Sequence, residues 1–302
     1  MLEICLLGTG GMMPLPGRWL TALLVRHNGK MLLIDCGEGT QIPLKQVGWG
    51  FKSIEAICLT HYHADHVSGL PGLLLTIGNS GRTEPLLIMG PPGLSEVIAG
   101  LTVIAPELPF ELKLEELPDG NLAVRNVDDM IIHSIPVDHT LTCLAYCIEI
   151  KRAGKFDVER ANRGNIPLQF WSRLQKGEEI AWEDKVFTPG MVLGETRKGL
   201  KVCYCTDTRP VEALVDFAKD CDLFVCEGMY GEDDKFQKAL EKKHMLFSEA
   251  AQLAVKCNAR ELWLTHFSPS LAEPENCLDF AKDVFPATVV GKDMMRKTLK
   301  LE

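Results

Sequence analysis

The sequence predicts a layered α/β body, and three observations carry that prediction. Short apolar runs rich in Val, Ile and Leu recur along the 302 residues, each bounded by Gly, Pro or Asn. Stretches of helical length lie between them. Strands crowd together with few helices in the first half and alternate with helices in the second, as in sheets covered by helices.

In chain order the expected strands are LEICLLG (2–8), LTALLVRH (20–27), KMLLIDC (30–36), AICLTH (56–61) and LLIMG (86–90). MIIHSIPV (130–137), TCLAYCIEI (142–150), LKVCYCTD (200–207), DLFVCEG (222–228) and ELWLTHF (261–267) follow. His27-Asn28-Gly29-Lys30 reads as a hairpin, because Asn-Gly suits the two left-handed positions of a type I′ turn. Helices are expected over 69–77, 93–101, 210–218, 248–256 and 274–284, with Ser248 as an N-cap and Pro274 as a first-turn proline. The segment from Lys151 to Leu200 differs: turn residues, mixed charge and the aromatics Phe170, Trp171 and Trp182 mark a protruding insertion. Those aromatics suit either RNA contact beside Arg163, Arg173 and Lys176 or a small core belonging to the insertion.

Composition excludes several classes. The chain is 46% hydrophobic and 24% charged, as in ordinary soluble domains. No apolar run approaches the roughly 18–20 residues of a membrane span. The start MLEICLLGTGG has no basic lead and reads as a first strand, so a cytoplasmic location is expected. Eleven cysteines in irregular spacing, without a C-x-x-C pair, suggest reduced thiols used as small hydrophobes. The net charge of −9 argues against nucleic acid, yet 151–201 carries eleven Lys and Arg against seven Asp and Glu. One basic segment therefore sits on an acidic body. GTGGMMP resembles a nucleotide loop only superficially, since Pro14 and Pro16 stand where a helix would have to begin.

The chemistry concentrates in THYHADH. Three histidines and an aspartate within six positions, His61, His63, Asp65 and His66, follow an apolar strand directly. Buried without partners they would be costly, so the stretch is a solvated loop or a metal site. Strand periodicity puts His61 and His63 on one side, while the turn directs Asp65 and His66 to a second point. His139, Asp207 and His266 end other strands in the same way, and five of the eight histidines share that placement. His27 and His133 lie in a hairpin and inside a strand and read as structural. Imidazole and carboxylate donors without Cys suit a pair of Zn²⁺ ions, with Mn²⁺ or Fe²⁺ as alternatives. A paired site holds its ions about 3.5–4 Å apart and turns water into a nucleophile near pH ~7.

These residues resemble the metallo-β-lactamase superfamily, whose hallmark is the H-x-H-x-D-H pattern. LLGTGGMMPLPGR, LLIDCGEGTQ, THYHADHVSGLPGLL, EPLLIMGPPGL, CTDTRPVEAL and LTHFS narrow the resemblance to the ribonuclease Z branch, over essentially the whole chain. The resemblance implies one domain, 1–302, folded as a four-layer αββα sandwich with an inserted arm at 151–200. It implies that His61, His63 and His139 hold one ion, Asp65, His66 and His266 the other, and that Asp207 bridges them. It also implies an activity, endoribonucleolytic cleavage at the 3′ side of precursor tRNA by a hydroxide shared between two zinc ions. Asp65 would orient that hydroxide, His244 would assist the leaving oxygen with Glu227 behind it, and Asp35 would support the metal site. A homodimer and an arm gripping the tRNA elbow belong to the same expectation. Departures are GNIPLQFWSRLQKG at the arm, Pro-Ser-Leu after His266-Phe-Ser, and Met-Leu after His244. They leave a phosphodiesterase or other metallo-hydrolase of small substrates as the alternative.

Overall fold

The computed structural model describes residues 1–301. The chain divides into two compact units, Met1–Glu149 with Lys201–Lys300, and Ile150–Leu200. The first unit holds two seven-stranded sheets. One is built from β1 (Leu2–Gly8), β2 (Ala22–His27), β3 (Lys30–Ile34), β4 (Ile54–Cys58), β5 (Leu86–Gly90) and β6 (Leu112–Glu116), with β16 (Met295–Leu299) beside β1. The other contains β7 (Ala123–Val127), β8 (Met130–Val137) and β9 (Cys143–Arg152), then β12 (Arg197–Cys205), β13 (Leu223–Glu227), β14 (Leu262–Thr265) and β15 (Thr288–Val290). Each sheet starts as an antiparallel meander and continues as a parallel array: β3 to β6 in the first, β12 to β15 in the second.

Alternation along the strands explains the layers. Cys5, Leu7, Leu24, Leu33, Ile57 and Ile88 pack with Leu70, Leu73, Leu74 and Ile77 of the helix Leu70–Asn79. The intervening residues Ile4, Leu6, Leu23, Leu32, Ala56 and Met89 are fully buried as well, so this sheet is covered on both faces. The second sheet repeats the arrangement. Cys205, Phe224, Cys226 and Leu264 face the helix Phe247–Lys256, while Val202, Tyr204, Val225 and Trp263 are buried on the opposite side. Hydrogen bonds join the two inner faces: Tyr146 Oη donates to the Leu59 carbonyl at 2.7 Å, and Tyr204 Oη to Asp35 at 3.4 Å. The result is helix, sheet, sheet, helix.

All ten expected strands form, and Asn28 and Gly29 take φ of 48° and 80° as a type I′ hairpin requires. Four strands of the two sheets were not foreseen. β6, β7 and β16 read LKLEE, AVRNV and MRKTL, and β15 has three residues. All four close a sheet edge, where polar side chains in β6, β7 and β16 blunt further pairing and erase the apolar signal, and where β15 is too short to show one. Ser248 is not an N-cap. The helix begins at Phe247, the Glu249 carboxylate accepts the Leu246 N–H at 3.0 Å, and the Ser248 hydroxyl donates to Asp233. Pro274 opens a 3₁₀ turn, Pro274–Cys277, and the helix proper is Leu278–Lys282. The thiol expectation also needs correction. Nine cysteines are free and buried, but Cys147 and Cys203 form a disulfide between β9 and β12, their Cα atoms 4.1 Å apart. Its partners are 56 residues apart, so only strand pairing brings them together.

The second unit carries the helices Val158–Arg163 and Leu168–Gln175 and a hairpin of β10 (Ile180–Trp182) and β11 (Lys185–Phe187). Phe170, Leu174, Ile166, Ile180 and Phe187 form its core, and Trp171 packs against them. Two of the three aromatics therefore serve the insertion's own packing, while Trp182 is 47% exposed.

Candidate metal centre and active site

The sequence-derived candidates for the metal site follow the carboxyl ends of strands, with Asp65 and His66 inside the short helix Ala64–Val67 that comes after β4. β4 leads to His61, β8 to His139, β12 to Asp207 and β14 to His266. Asp35, Asp207 and His266 adopt left-handed φ of 63°, 49° and 59°, a conformation that costs non-glycine residues energy. All three are buried.

Seven side chains converge in two groups. His61 Nε2 lies 2.9 Å from His63 Nδ1, which lies 3.3 Å from His139 Nε2. Asp207 Oδ2 is 3.7 Å from both His61 Nε2 and His139 Nε2. In the second group Asp65 Oδ2 stands 3.5 Å from His66 Nε2 and 3.5 Å from His266 Nε2. Asp207 turns its other oxygen there, with Oδ1 3.4 Å from His66 Nε2 and 3.2 Å from His266 Nε2. One carboxylate thus faces both groups, and within each group the candidate ligand atoms lie within 4.8 Å of one another.

The outer atoms of these rings are already committed. Asp35 accepts from His66 Nδ1 at 2.9 Å, and the same carboxylate accepts from Thr60 N at 2.8 Å and from its hydroxyl. The Lys243 carbonyl accepts from His139 Nδ1 at 3.2 Å. A carboxylate and a carbonyl can only accept, so both rings carry a proton on Nδ1 and turn Nε2 inward. Burial, first of all, keeps His61, His63 and His139 below the ordinary imidazole range, leaving them neutral. For His66 burial opposes charge, but Asp207 and Asp35 outweigh it and push the pKa well up. Asp207 Oδ1 has no hydrogen-bond donor. Converging lone pairs, a bare buried carboxylate oxygen and a demand for positive charge are what divalent cations satisfy, so the donor set fits a metal pair.

Beside this cluster, Glu227 ends β13 fully buried. Its Oε1 accepts the Thr208 N–H at 2.5 Å, and its Oε2 accepts the Met245 N–H at 3.1 Å and His244 Nδ1 at 3.1 Å. Burial works against a charged His244, yet the Glu227 carboxylate prevails and raises the pKa to about 9. The His244 ring stacks 5.5 Å from the His266 ring and lies 5.2 Å from that of His139. A pocket of about 440 Å³ opens over His63, Asp65, His139, Asp207, His244 and His266, with Tyr230, Lys238 and Lys242 on its wall.

Some contributions were invisible in the sequence. The Met12 N–H donates to Asp65 Oδ2 at 2.6 Å from a backbone with φ of 67°. A main-chain donor leaves no residue-type signal. GTGGMMP is a turn packed beneath the cluster, and a Cβ on Gly11 would stand 2.8 Å from the His266 ring. Arg209, in the DTRP stretch, had no assigned role; its guanidinium reaches the His244 carbonyl.

Comparison with known proteins finds relatives over the whole chain. A family model described as anti-Pycsar protein Apyc1 matches residues 2–97. A ribonuclease Z of Clostridium acetobutylicum is 55% identical, covering 100% of this chain and 99% of the relative. A ribonuclease Z of Lachnospira eligens is 56% identical with the same coverage. Among solved structures, the short form of human tRNase Z superposes with a TM-score of 0.70 at 23% identity, over 99% of this chain and 100% of that one. The metallo-β-lactamase fold protein YhfI of Bacillus subtilis also reaches 0.70, at 20% identity over 98% of each chain. At those identities the superpositions speak for the fold. The full-length matches above 50% identity speak for more, and the chain belongs to the ribonuclease Z family.

Proposed function

We propose that the protein is a zinc-dependent endoribonuclease that hydrolyses a phosphodiester at the 3′ side of precursor tRNA. One observation carries the reading: five of the seven converging metal-capable side chains, His63, Asp65, His139, Asp207 and His266, open into one pocket with His244, which Glu227 holds from behind, in a chain with full-length ribonuclease Z relatives. His61, His63 and His139 would hold one cation and Asp65, His66 and His266 the other, with Asp207 contributing an oxygen to each. When bound, the two cations supply Lewis acidity to the phosphoryl oxygens and acidify the attacking water. Asp65, held by the Met12 N–H, orients that water. Its oxygen adds to phosphorus as the bond to the 3′ oxygen breaks. His244, bonded through Nδ1 to Glu227, presents Nε2 as the proton donor to that departing oxygen. The buried carboxylate favours the protonated ring that this step needs.

The insertion serves RNA binding in this reading. Arg160, Arg163 and Lys185 line a hollow of about 690 Å³ within the second unit, on a segment with excess positive charge. Zinc as the metal, a homodimer as the assembly and the cytoplasm as the compartment belong to the same proposal. Metal analysis of the purified protein and sedimentation equilibrium test the first two. The central experiment incubates the protein with a precursor tRNA and with bis(p-nitrophenyl) phosphate. Endonucleolytic cleavage of the RNA is expected; hydrolysis of the diester alone rejects the tRNA reading in favour of a small-molecule phosphodiesterase.

A further inference from the structure

Residues 243–246 connect the helices Phe236–Lys242 and Phe247–Lys256 and carry two groups of the site at once. Lys243, at φ 56°, turns its carbonyl to His139 Nδ1, and the next residue supplies the His244 ring. The segment itself is held from outside. Arg209 Nη1 donates to the His244 carbonyl at 2.5 Å and to Glu249 Oε2 at 2.9 Å, and its Nη2 donates to Glu249 Oε1. The Arg209 main-chain N–H donates to the Asp138 carbonyl at 3.0 Å, next to His139. Arg209 also follows the shared carboxylate Asp207 by two positions. One residue therefore ties together the loops after β8 and β12 and the turn that bears His244.

The chemistry of the tie is specific to arginine. A planar guanidinium can fill both oxygens of Glu249 and still direct an N–H at the His244 carbonyl, whereas an ammonium is a single point charge. The Arg209 and Glu249 side chains are only 12% and 13% exposed, lining a hollow of about 290 Å³, so little water competes for the fork. Nothing in the hydrolytic step uses this pair, and neither residue lines the pocket over the metal site.

We propose that Arg209, locked by Glu249, is a positioning residue that keeps the His244 imidazole and the His139 ring in the orientation the reaction needs. The proposal rests on the hydrolase reading above. Removing one partner alone would strand a buried charge and confound the result with instability. The test is therefore the double variant Arg209→Met with Glu249→Gln, which leaves no lone charge and keeps an acceptor for the Leu246 N–H. Its melting temperature is expected near that of the wild type. Its kcat is expected to fall roughly ten- to a hundred-fold on precursor tRNA and on bis(p-nitrophenyl) phosphate alike, the usual cost of losing support behind a metal ligand. KM is expected to stay within about two-fold. Arg209→Lys retains the charge but not the fork and is expected to show the same loss of kcat, which keeps the proposal testable should the double variant fail to fold.

A readout without metal comes from the chelated protein. The Cε1–H signals of His139 and His244 are expected to shift in both variants, and amide exchange at Met245 and Leu246 to accelerate, while His27 stays unchanged. A wild-type kcat in the variants, a loss confined to KM, or unmoved His139 and His244 signals overturns the proposal. Should the wild type hydrolyse the diester and leave tRNA intact, the ribonuclease reading falls. The positioning role is then decided by the diester kcat and the histidine signals alone.

Discussion

Asp207 shows how much one side chain settles at this site. Its two oxygens face different histidine groups, and no donor occupies Oδ1. Asp65 stands at the rim of the second group, held by a single main-chain N–H and 11% exposed. Replacing it should remove the acid without collapsing the core. We expect Asp65→Ala to abolish turnover while circular dichroism and melting temperature remain close to wild type. Unchanged kcat at normal metal content would contradict the assigned role. His244 gives a pH prediction for the chelated protein. Its pKa is raised to about 9 by Glu227 against burial. The pair's stabilisation is thus complete below the ordinary imidazole pKa of about 6.5 and disappears as pH rises through about 9. Following the His244 Cε1–H signal should give a midpoint near 9 in the wild type and a lower one in Glu227→Gln. Equal midpoints would remove Glu227 as the cause.

At the scale of elements, the site depends on how closely loops can approach. The turn bearing Asp65 and His66 rests against the loop after β3. A Cβ on Gly37 would stand 2.0 Å from the Asp65 carbonyl, and one on Gly69 would stand 2.0 Å from the Gly37 carbonyl. The obstructing atoms are main chain and cannot rotate away. Gly69→Ala is therefore expected to destabilise by roughly 1–3 kcal/mol or more and to weaken metal binding, read by denaturant melts and metal titration. The insertion makes the contrasting prediction. Ile150–Leu200 has its own core, so deleting 156–198 should spare hydrolysis of bis(p-nitrophenyl) phosphate and weaken precursor tRNA binding. Undiminished tRNA affinity in a gel-shift or fluorescence titration would remove the insertion from the RNA-binding surface.

For the whole molecule, the two sheets are stitched together next to three aspartates, two of them fully buried and Asp65 at the rim. Asp35, Asp65 and Asp207 gather at the ends of strands from both halves, in a chain of net charge −9. A cation that binds only the folded form adds about 4 kcal/mol at a thousand-fold excess over its Kd. Chelation is accordingly expected to lower the melting temperature by roughly 10 °C, and restoring Zn²⁺ to recover it. A melting temperature indifferent to chelator would show that these aspartates need no cation.

The sequence by itself determined the α/β class, the ten central strands and the list of metal-capable residues. Those features are local: apolar runs with sharp ends, and imidazoles and carboxylates placed at them. Strong packing on both faces leaves a central strand little choice, so its composition announces it. What only the tertiary structure decided was pairing between distant positions. β6, β7 and β16 are polar edges defined by a neighbour and not by a pattern of their own. The Cys147–Cys203 disulfide, the division of Asp207 between two histidine groups and the reach of Arg209 to His244 each join residues far apart in the chain. The Met12 N–H on Asp65 is further hidden, because the main chain is the same at every residue and only its φ and ψ aim the donor. Side-chain chemistry is written in the sequence; the distances that turn it into a site arise when the strands stack.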